Sequence, residues 1–220
     1  MAVARASMQR RGDVFLAIDD GPSDATPELL RALEAGGHRA VLFTLGCNVA
    51  GREAMLEDAL RRGFALGNHS FTHPRFSEIN LDAAADEIRR TEIVLEALHR
   101  TAGVTRLARW FRFPFLDAGE AQGSALQQLL HAAGMRVPRA VRVREPATGE
   151  SHRGRLDWPS TLITRDWALP PEAELRAVLA RARRGDVIEL HDNPDTVPRI
   201  TGPVCEELAR SRLRGVVPIR

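Results

Sequence analysis

Asp19 and Asp20 end an apolar run that begins at residue 13, and Gly21-Pro22 follows at once; about fifty residues later stand His69 and His73, at i and i+4. Adjacent carboxylates and paired imidazoles are what a divalent cation and a hydrolytic base require. On a strand, successive side chains point to opposite faces, so Asp19 and Asp20 reach one pocket only if the strand ends there. Gly21 and Pro22 end it, the first through backbone freedom and the second through its fixed φ and missing N–H. One carboxylate can then bind a cation while its neighbour takes protons from water. A single helical turn or tight bend puts His69 and His73 on one side, and Pro74 finishes that turn by keeping its predecessor out of the helical region. With Asp20 the pair makes a three-ligand site with an open position, suited to Zn²⁺, with Co²⁺ or Mn²⁺ also compatible. Singly, each motif is weak: a bare HxxxH is more often an exposed or helix-packed pair, and Asp-Asp-Gly-Pro a solvated turn. Jointly they point to a metal-dependent hydrolase.

The run Ile18-Asp19-Asp20-Gly21-Pro22-Ser23 continues through Thr26-Pro27-Glu28-Leu29-Leu30, residues 40–46 and Leu66-Gly67-Asn68-His69-Ser70-Phe71-Thr72-His73-Pro74. Arg112-Phe113-Pro114-Phe115, Arg165-Asp166-Trp167 and residues 186–192 follow. Five motifs in this order resemble the polysaccharide deacetylase family (NodB-homology, carbohydrate esterase family 4) over most of the chain. The resemblance implies that Asp19 is the catalytic base and that Asp20, His69 and His73 hold a divalent metal. That metal would polarise an amide carbonyl and acidify a water, and would share the oxyanion with a backbone N–H near Phe115. Arg112 would orient the base carboxylate and keep it charged. His191 would be the acid that protonates the departing amine, Asp166 its partner, and Phe115, Trp167, Glu189 and Leu190 pocket residues. The implied substrate is an N-acetylated carbohydrate, and the implied fold is a distorted (β/α) barrel of about seven parallel strands, TIM-barrel-like.

Three departures stand out. Ile18 replaces the family's usual Phe and Phe115 its usual Tyr, both without effect on the reacting groups. Glu189 replaces a Leu that would receive the acetyl methyl, and a strand puts it on the same face as His191. A carboxylate there is costly to bury unless paired, so either a cation such as an arginine lies beneath the pocket or the pocket takes something other than acetate. The ion pair is the preferred expectation.

The elements that must position these residues alternate. Strands are expected at 13–18, 40–46, 64–67, 108–113, 137–143, 160–164, 186–191 and 215–219, and helices at 26–35, 52–62, 81–100, 120–133, 171–184 and 202–211. Such alternation implies an α/β fold of parallel strands and crossover helices, and the motifs fall at strand C-terminal ends, where a (β/α) barrel keeps its site.

With 220 residues and 44% hydrophobic content, the chain suits one barrel better than two small domains: residues 13–220 as a single catalytic domain after a flexible 1–12 segment. The net charge of +2 comes from scattered arginines balanced by acids, which gives no case for nucleic acid. Arg61-Arg62 and Arg183-Arg184 are expected at helix ends, where cations suit the dipole. The arginines of 138–158 form a solvated loop or, less often for such composition, a basic rim for an anionic glycan. Residues 1–12 lack the apolar centre of a signal peptide and no stretch is long enough to span a bilayer, so a membrane-free protein is expected, cytoplasmic, or secreted if a leader is missing from this sequence. Cys47 reads as a packed thiol, and His38, His99, His131 and His152 as surface residues. Asn68 and Ser70 are expected to orient His69, and Asp192 and Asn193 to do the same for His191. Beside the N-deacetylase, an amidohydrolase of a small non-sugar amide or ureide and an inactive glycan-binding module remain in play.

Overall fold

A computed structural model describes residues 12–137 and 154–218 of the chain. The first strand, β1 (Gly12–Asp19), is flanked by β2 (Val41–Thr44), which pairs in turn with β3 (Ala65–Asn68), and on its other side by β5 (Val187–His191), next to β4 (Leu162–Ile163). All of these pairings are parallel, and β6 (Leu213–Gly215) adds a parallel partner to the start of β1. The intervening helices are α1 (Thr26–Ala35), α2 (Glu53–Arg61), α3 (Leu81–Ala102), α4 (Gly123–Ala132), α5 (Glu172–Leu179) and α6 (Val197–Arg210). Phe111 bridges both Asn68 and Asp157, so the array curls on beyond β3 toward the segment that becomes β4. This is the α/β architecture of a distorted (β/α) barrel.

Alternation along the strands explains how the two faces are used. Val14, Leu16 and Ile18 of β1, with Leu42, Leu66, Ile188 and Leu190, pack against the helices in one buried cluster. Phe15 and Ala17 point the other way and join Val41, Phe43, Trp110, Trp158 and Val187 inside the curl. Trp158 meets Phe43 edge to face at 5.2 Å and Trp110 at 5.6 Å, which plugs the interior. Both faces of β1 are therefore apolar, as parallel strands require, and burial of each such side chain contributes about 1.5–3 kcal/mol. Asp19 continues the inward set, so the same period that buries Phe15 and Ala17 aims Asp19 into the mouth of the barrel.

The helix α3 shows why local sequence sets its limits. Asn80 caps it by accepting from Ala83 N at 2.9 Å, and Gly103 closes it in the left-handed region at φ 70°. Its inward residues Ala84 and Ile88 pack on Phe76, Phe111 and Phe113 in a third cluster with Leu126 and Leu130 of α4.

Several expected bounds change. The 108–113 segment bridges its neighbours only at Arg109 and Phe111, and it meets β3 at one residue, Asn68, whose N–H donates to Trp110 O at 2.8 Å and whose carbonyl accepts from Arg112 N at 3.0 Å. The 160–164 strand shortens to two residues between Pro159, which has no N–H to give, and Arg165, which is left-handed at φ 55°. α5 stops at Leu179 rather than 184, so Arg183 and Arg184 lie in the turn before β5. α6 starts at Val197 rather than 202: Asn193 Oδ1 accepts from Asp195 and Thr196 N–H groups, and Pro198 stands in the first turn, where no N–H is needed. The expected strand at 137–143, the 1–12 segment and the arginines of 139–153 lie outside the described residues, apart from Gly12, which opens β1, and Val137. His38 and His99 are buried rather than superficial, His131 is exposed, and His152 falls outside the described residues. Cys47 is exposed rather than packed. No helix among the described residues is long and apolar enough to cross a membrane.

Candidate metal and catalytic site

The strand register delivers the first two groups. Asp19 and His191 end adjacent parallel strands as register partners, which places both at the C-terminal mouth of the barrel. Asp20 then takes φ 72°, a left-handed conformation uncommon for a residue with a side chain, and this turns it toward the same mouth instead of the outer face. Gly21 follows with Asp192 pressed against it: a Cβ there would sit 2.4 Å from Asp192 Oδ2, so only glycine lets the two chains pass. Asp192 in turn accepts from Ser23 Oγ at 2.7 Å and Thr26 Oγ1 at 2.5 Å, tying the Asp-Gly-Pro-Ser loop to the end of β5. Burial, against these hydroxyls, pushes its carboxyl up. It braces the loop and makes no bond to the His191 ring, contrary to expectation, and Asn193 Oδ1 is spent on the turn that leads into α6.

His69 and His73 converge through a tight bend, the second of the two expected geometries, with Ser70 at φ 70° and His73 at φ 64°. Glu87 of α3 fixes the bend: it accepts from Phe71 N and Thr72 N, both at 2.7 Å, and from Thr72 Oγ1 at 2.8 Å. Asn68 Oδ1 accepts from Ser70 N at 2.9 Å, and Ser70 Oγ accepts from His73 N at 3.1 Å. Asn68 and Ser70 therefore hold the loop backbone rather than the His69 ring. That ring is set by Arg112, whose carbonyl lies 2.9 Å from Nδ1. A carbonyl only accepts, so Nδ1 carries the proton and Nε2 presents its lone pair to the mouth. Sequence reasoning missed Glu87, which is one of several carboxylates on α3 and is singled out only by the loop the fold brings opposite it.

Asp20 Oδ1 lies 3.4 Å from His69 Nε2 and 3.2 Å from His73 Nε2. One ligand atom from each of the three residues falls within 4.8 Å of the others. Asp20 Oδ1 is buried and has no hydrogen-bond partner, although two ring nitrogens face it. An anionic oxygen, an imidazole with its proton parked on the far nitrogen and a second imidazole are a donor set that fits a divalent ion.

Arg112 is wholly buried, and each of its five N–H donors is used. Nε donates to Asp19 Oδ2 at 2.6 Å, Nη1 to the carbonyls of Trp158 and Pro159 at 3.4 and 3.0 Å, and Nη2 to Ser160 Oγ and Glu189 Oε2. Asp19 Oδ1 is left buried and unpartnered. Glu189 is thus the ion pair that the sequence favoured.

His191 Nδ1 meets Asp166 Oδ1 at 2.7 Å, and Asp166 Oδ2 accepts from His191 N at 2.8 Å. Thr164 Oγ1 donates to Asp166 Oδ1 at 3.0 Å or to Glu189 O at 2.8 Å and fixes the carboxylate between the strands. Burial works against a charged His191, yet Asp166, with Asp19 and Asp20 nearby, pushes it up to about 9. Around these groups lies a cavity of about 520 Å³ that also includes Arg75, Phe115, Ile163, Arg165 and Trp167, a size suited to a small ligand or one end of a longer one. Phe115 and Trp167 are exposed at its rim, and the Phe115 ring lies 4.4 Å from that of His73. Leu190 does not line the cavity: it alternates to the opposite face of β5 and is buried under the helices.

An Asp-His-His cluster at the C-terminal mouth of a parallel barrel, with a second carboxylate and an imidazole beside it, is a candidate metal site of the kind a hydrolase uses. The sequence model of the polysaccharide deacetylase family matches residues 7–138, and the chain belongs to that family. It is 32% identical over 122 residues to a peptidoglycan-N-acetylglucosamine deacetylase of Bacillus cereus, an alignment covering 55% of this chain and 42% of that protein. It is 37% identical over 115 residues to a chitin deacetylase of Colletotrichum lindemuthianum, covering 49% and 44%. The chain thus spans less than half the length of these two relatives. Among solved structures, a family 4 carbohydrate esterase from Streptomyces lividans in complex with acetate superimposes with a TM-score of 0.73 at 25% identity, over 93% of this chain and 91% of that one.

Proposed function

We propose that this chain is an N-deacetylase that hydrolyses the amide of an N-acetylated sugar, oligosaccharide or polysaccharide. The observation that carries the reading is the convergence of Asp19 Oδ1, the Asp20–His69–His73 cluster and His191 on one cavity from three separate parts of the chain. Asp20, His69 and His73 would hold a divalent ion, Zn²⁺ first and Co²⁺ or Mn²⁺ after it, which when bound supplies Lewis acidity toward the amide carbonyl and lowers the pKa of water. Asp19 takes the proton from the attacking water on Oδ1, since Arg112 occupies Oδ2. His191 enters charged and gives its proton to the departing amine through Nε2, while Asp166 holds Nδ1. Phe115 and Trp167 offer the apolar rim on which a sugar face can rest. The convergence also argues against an inactive binding module. A small non-sugar amide or ureide is the second reading, favoured specifically by the carboxylate of Glu189 in the cavity.

The test is acetate release from chitin oligomers by the metal-loaded protein, against release of ammonia or another acid from small amides. The pH profile gives a second readout. His191 must be protonated to act, Asp166 raises it above the ordinary imidazole range, and activity is therefore expected to fall on the alkaline side as that proton is lost. Asp166→Asn removes the charge that raises it, and the alkaline limb is expected to move to lower pH. An unmoved limb would show that His191 is not the acid.

A further inference from the structure

We infer that Glu189 selects an acyl group bearing a hydrogen-bond donor beside the carbonyl, an N-glycolyl or N-carbamoyl group, over the bare methyl of N-acetyl. The inference rests on the amide-hydrolase reading above and names the acyl class that the same cavity takes.

The register places the group. Ala17 pairs with Glu189 one inward step below the Asp19–His191 pair, so Glu189 stands one layer beneath the two groups that flank the scissile amide. Its register partner on the other side is Ile163, which lines the same cavity. The Glu189 side chain is 7% exposed, and that exposure is to the cavity it lines. Oε2 is committed twice, accepting from Arg112 Nη2 and from Ser160 Oγ at 2.5 Å. Oε1 receives no hydrogen bond among the described residues, and it is not among the buried side-chain atoms sealed away without a partner. Nor can Arg112 turn to serve it, because its five donors are already placed on Asp19, Glu189 Oε2, Ser160 and two carbonyls.

The cavity floor therefore presents an anionic acceptor with no protein donor of its own. A methyl pressed against it strips water from a carboxylate oxygen and returns nothing. A hydroxyl or amino group in that place restores the lost hydrogen bond, and a charged acceptor makes it a strong one. The reaction is unchanged in form: the oxygen of water bonds to the acyl carbon, the C–N bond breaks and the amine leaves with the proton from His191. The acid released is glycolate from N-glycolyl and carbamate from N-carbamoyl.

The test compares kcat/KM of the metal-loaded protein on N-acetyl, N-glycolyl and N-carbamoyl forms of one chitobiose scaffold, in the wild type, Glu189→Gln and Glu189→Leu. The expected result is a preference of about tenfold or more for a donor-bearing acyl group in the wild type, lost in Gln and reversed in Leu. Equal or better use of N-acetyl by the wild type, or a ratio that neither substitution moves, would overturn the inference. The same proteins are compared by thermal shift with glycolate and with acetate, where the wild type is expected to favour glycolate more than Glu189→Gln does. Absence of turnover on every sugar amide, with this discrimination intact, would sink the sugar substrate and leave Glu189 in its role; absence of discrimination would sink the role itself.

Discussion

Asp19→Asn is expected to lower amide turnover by about 10²–10⁴-fold, the range spanned by general base catalysis, while the protein still binds one equivalent of metal. The substitution is nearly isosteric. Its amide oxygen can accept from Arg112 Nε as Asp19 Oδ2 does at 2.6 Å, so the wall of the cavity keeps its shape. What is lost is the basicity of Oδ1, the one carboxylate oxygen at this position that no protein donor occupies. The metal cluster draws on Asp20, His69 and His73 and is untouched. Measuring metal content and acetate release on the same sample separates the two roles of the adjacent aspartates. Retained turnover in Asp19→Asn would remove it from the chemistry, and loss of metal would make it a ligand.

Arg112→Met is expected to cost about 3–5 kcal/mol of stability, the penalty for leaving a buried charge without its partner. For a chain of this size that lowers the melting temperature by roughly 6–20 °C. The magnitude follows from what the guanidinium neutralises. Asp19 and Glu189 are both buried, and Arg112 donates to each of them. An exposed pair such as Arg89–Asp86 is a useful contrast, since its removal is expected to cost no more than about 1 kcal/mol. A melting point within a degree or two of the wild type would mean that the two carboxylates take up protons or water without penalty.

The sequence was most legible where one physical rule acted alone. The apolar run that ends at Asp19 marked a buried strand, and the helix expected at 81–100 lies close to the observed Leu81–Ala102. The convergence of Asp20, His69 and His73 was legible too, from the two motifs taken jointly and from the resemblance rather than from either motif alone. Positions decided by long-range fit were hidden. Leu190 was expected in the pocket with Glu189, yet one step along a strand reverses the face. Asn68 and Ser70 sit beside His69 in the chain, but its ring is set by Arg112 O, more than forty residues away. Glu87 and Ser160 carried no local signal, since their roles depend on which N–H or guanidinium the fold brings opposite them. The left-handed turn at Asp20 was hidden for a similar reason, because strain of that kind is imposed by the loop that Asp192 holds.

The most direct test is titration of metal-free protein with Co²⁺, followed by its visible absorption. One equivalent is expected to bind with the spectrum of a nitrogen- and oxygen-ligated ion, competed away by Zn²⁺, and the signal is expected to vanish in His73→Ala and Asp20→Ala while surviving in Asp19→Asn. Binding that persists unchanged when His73 and Asp20 are removed would contradict the assignment.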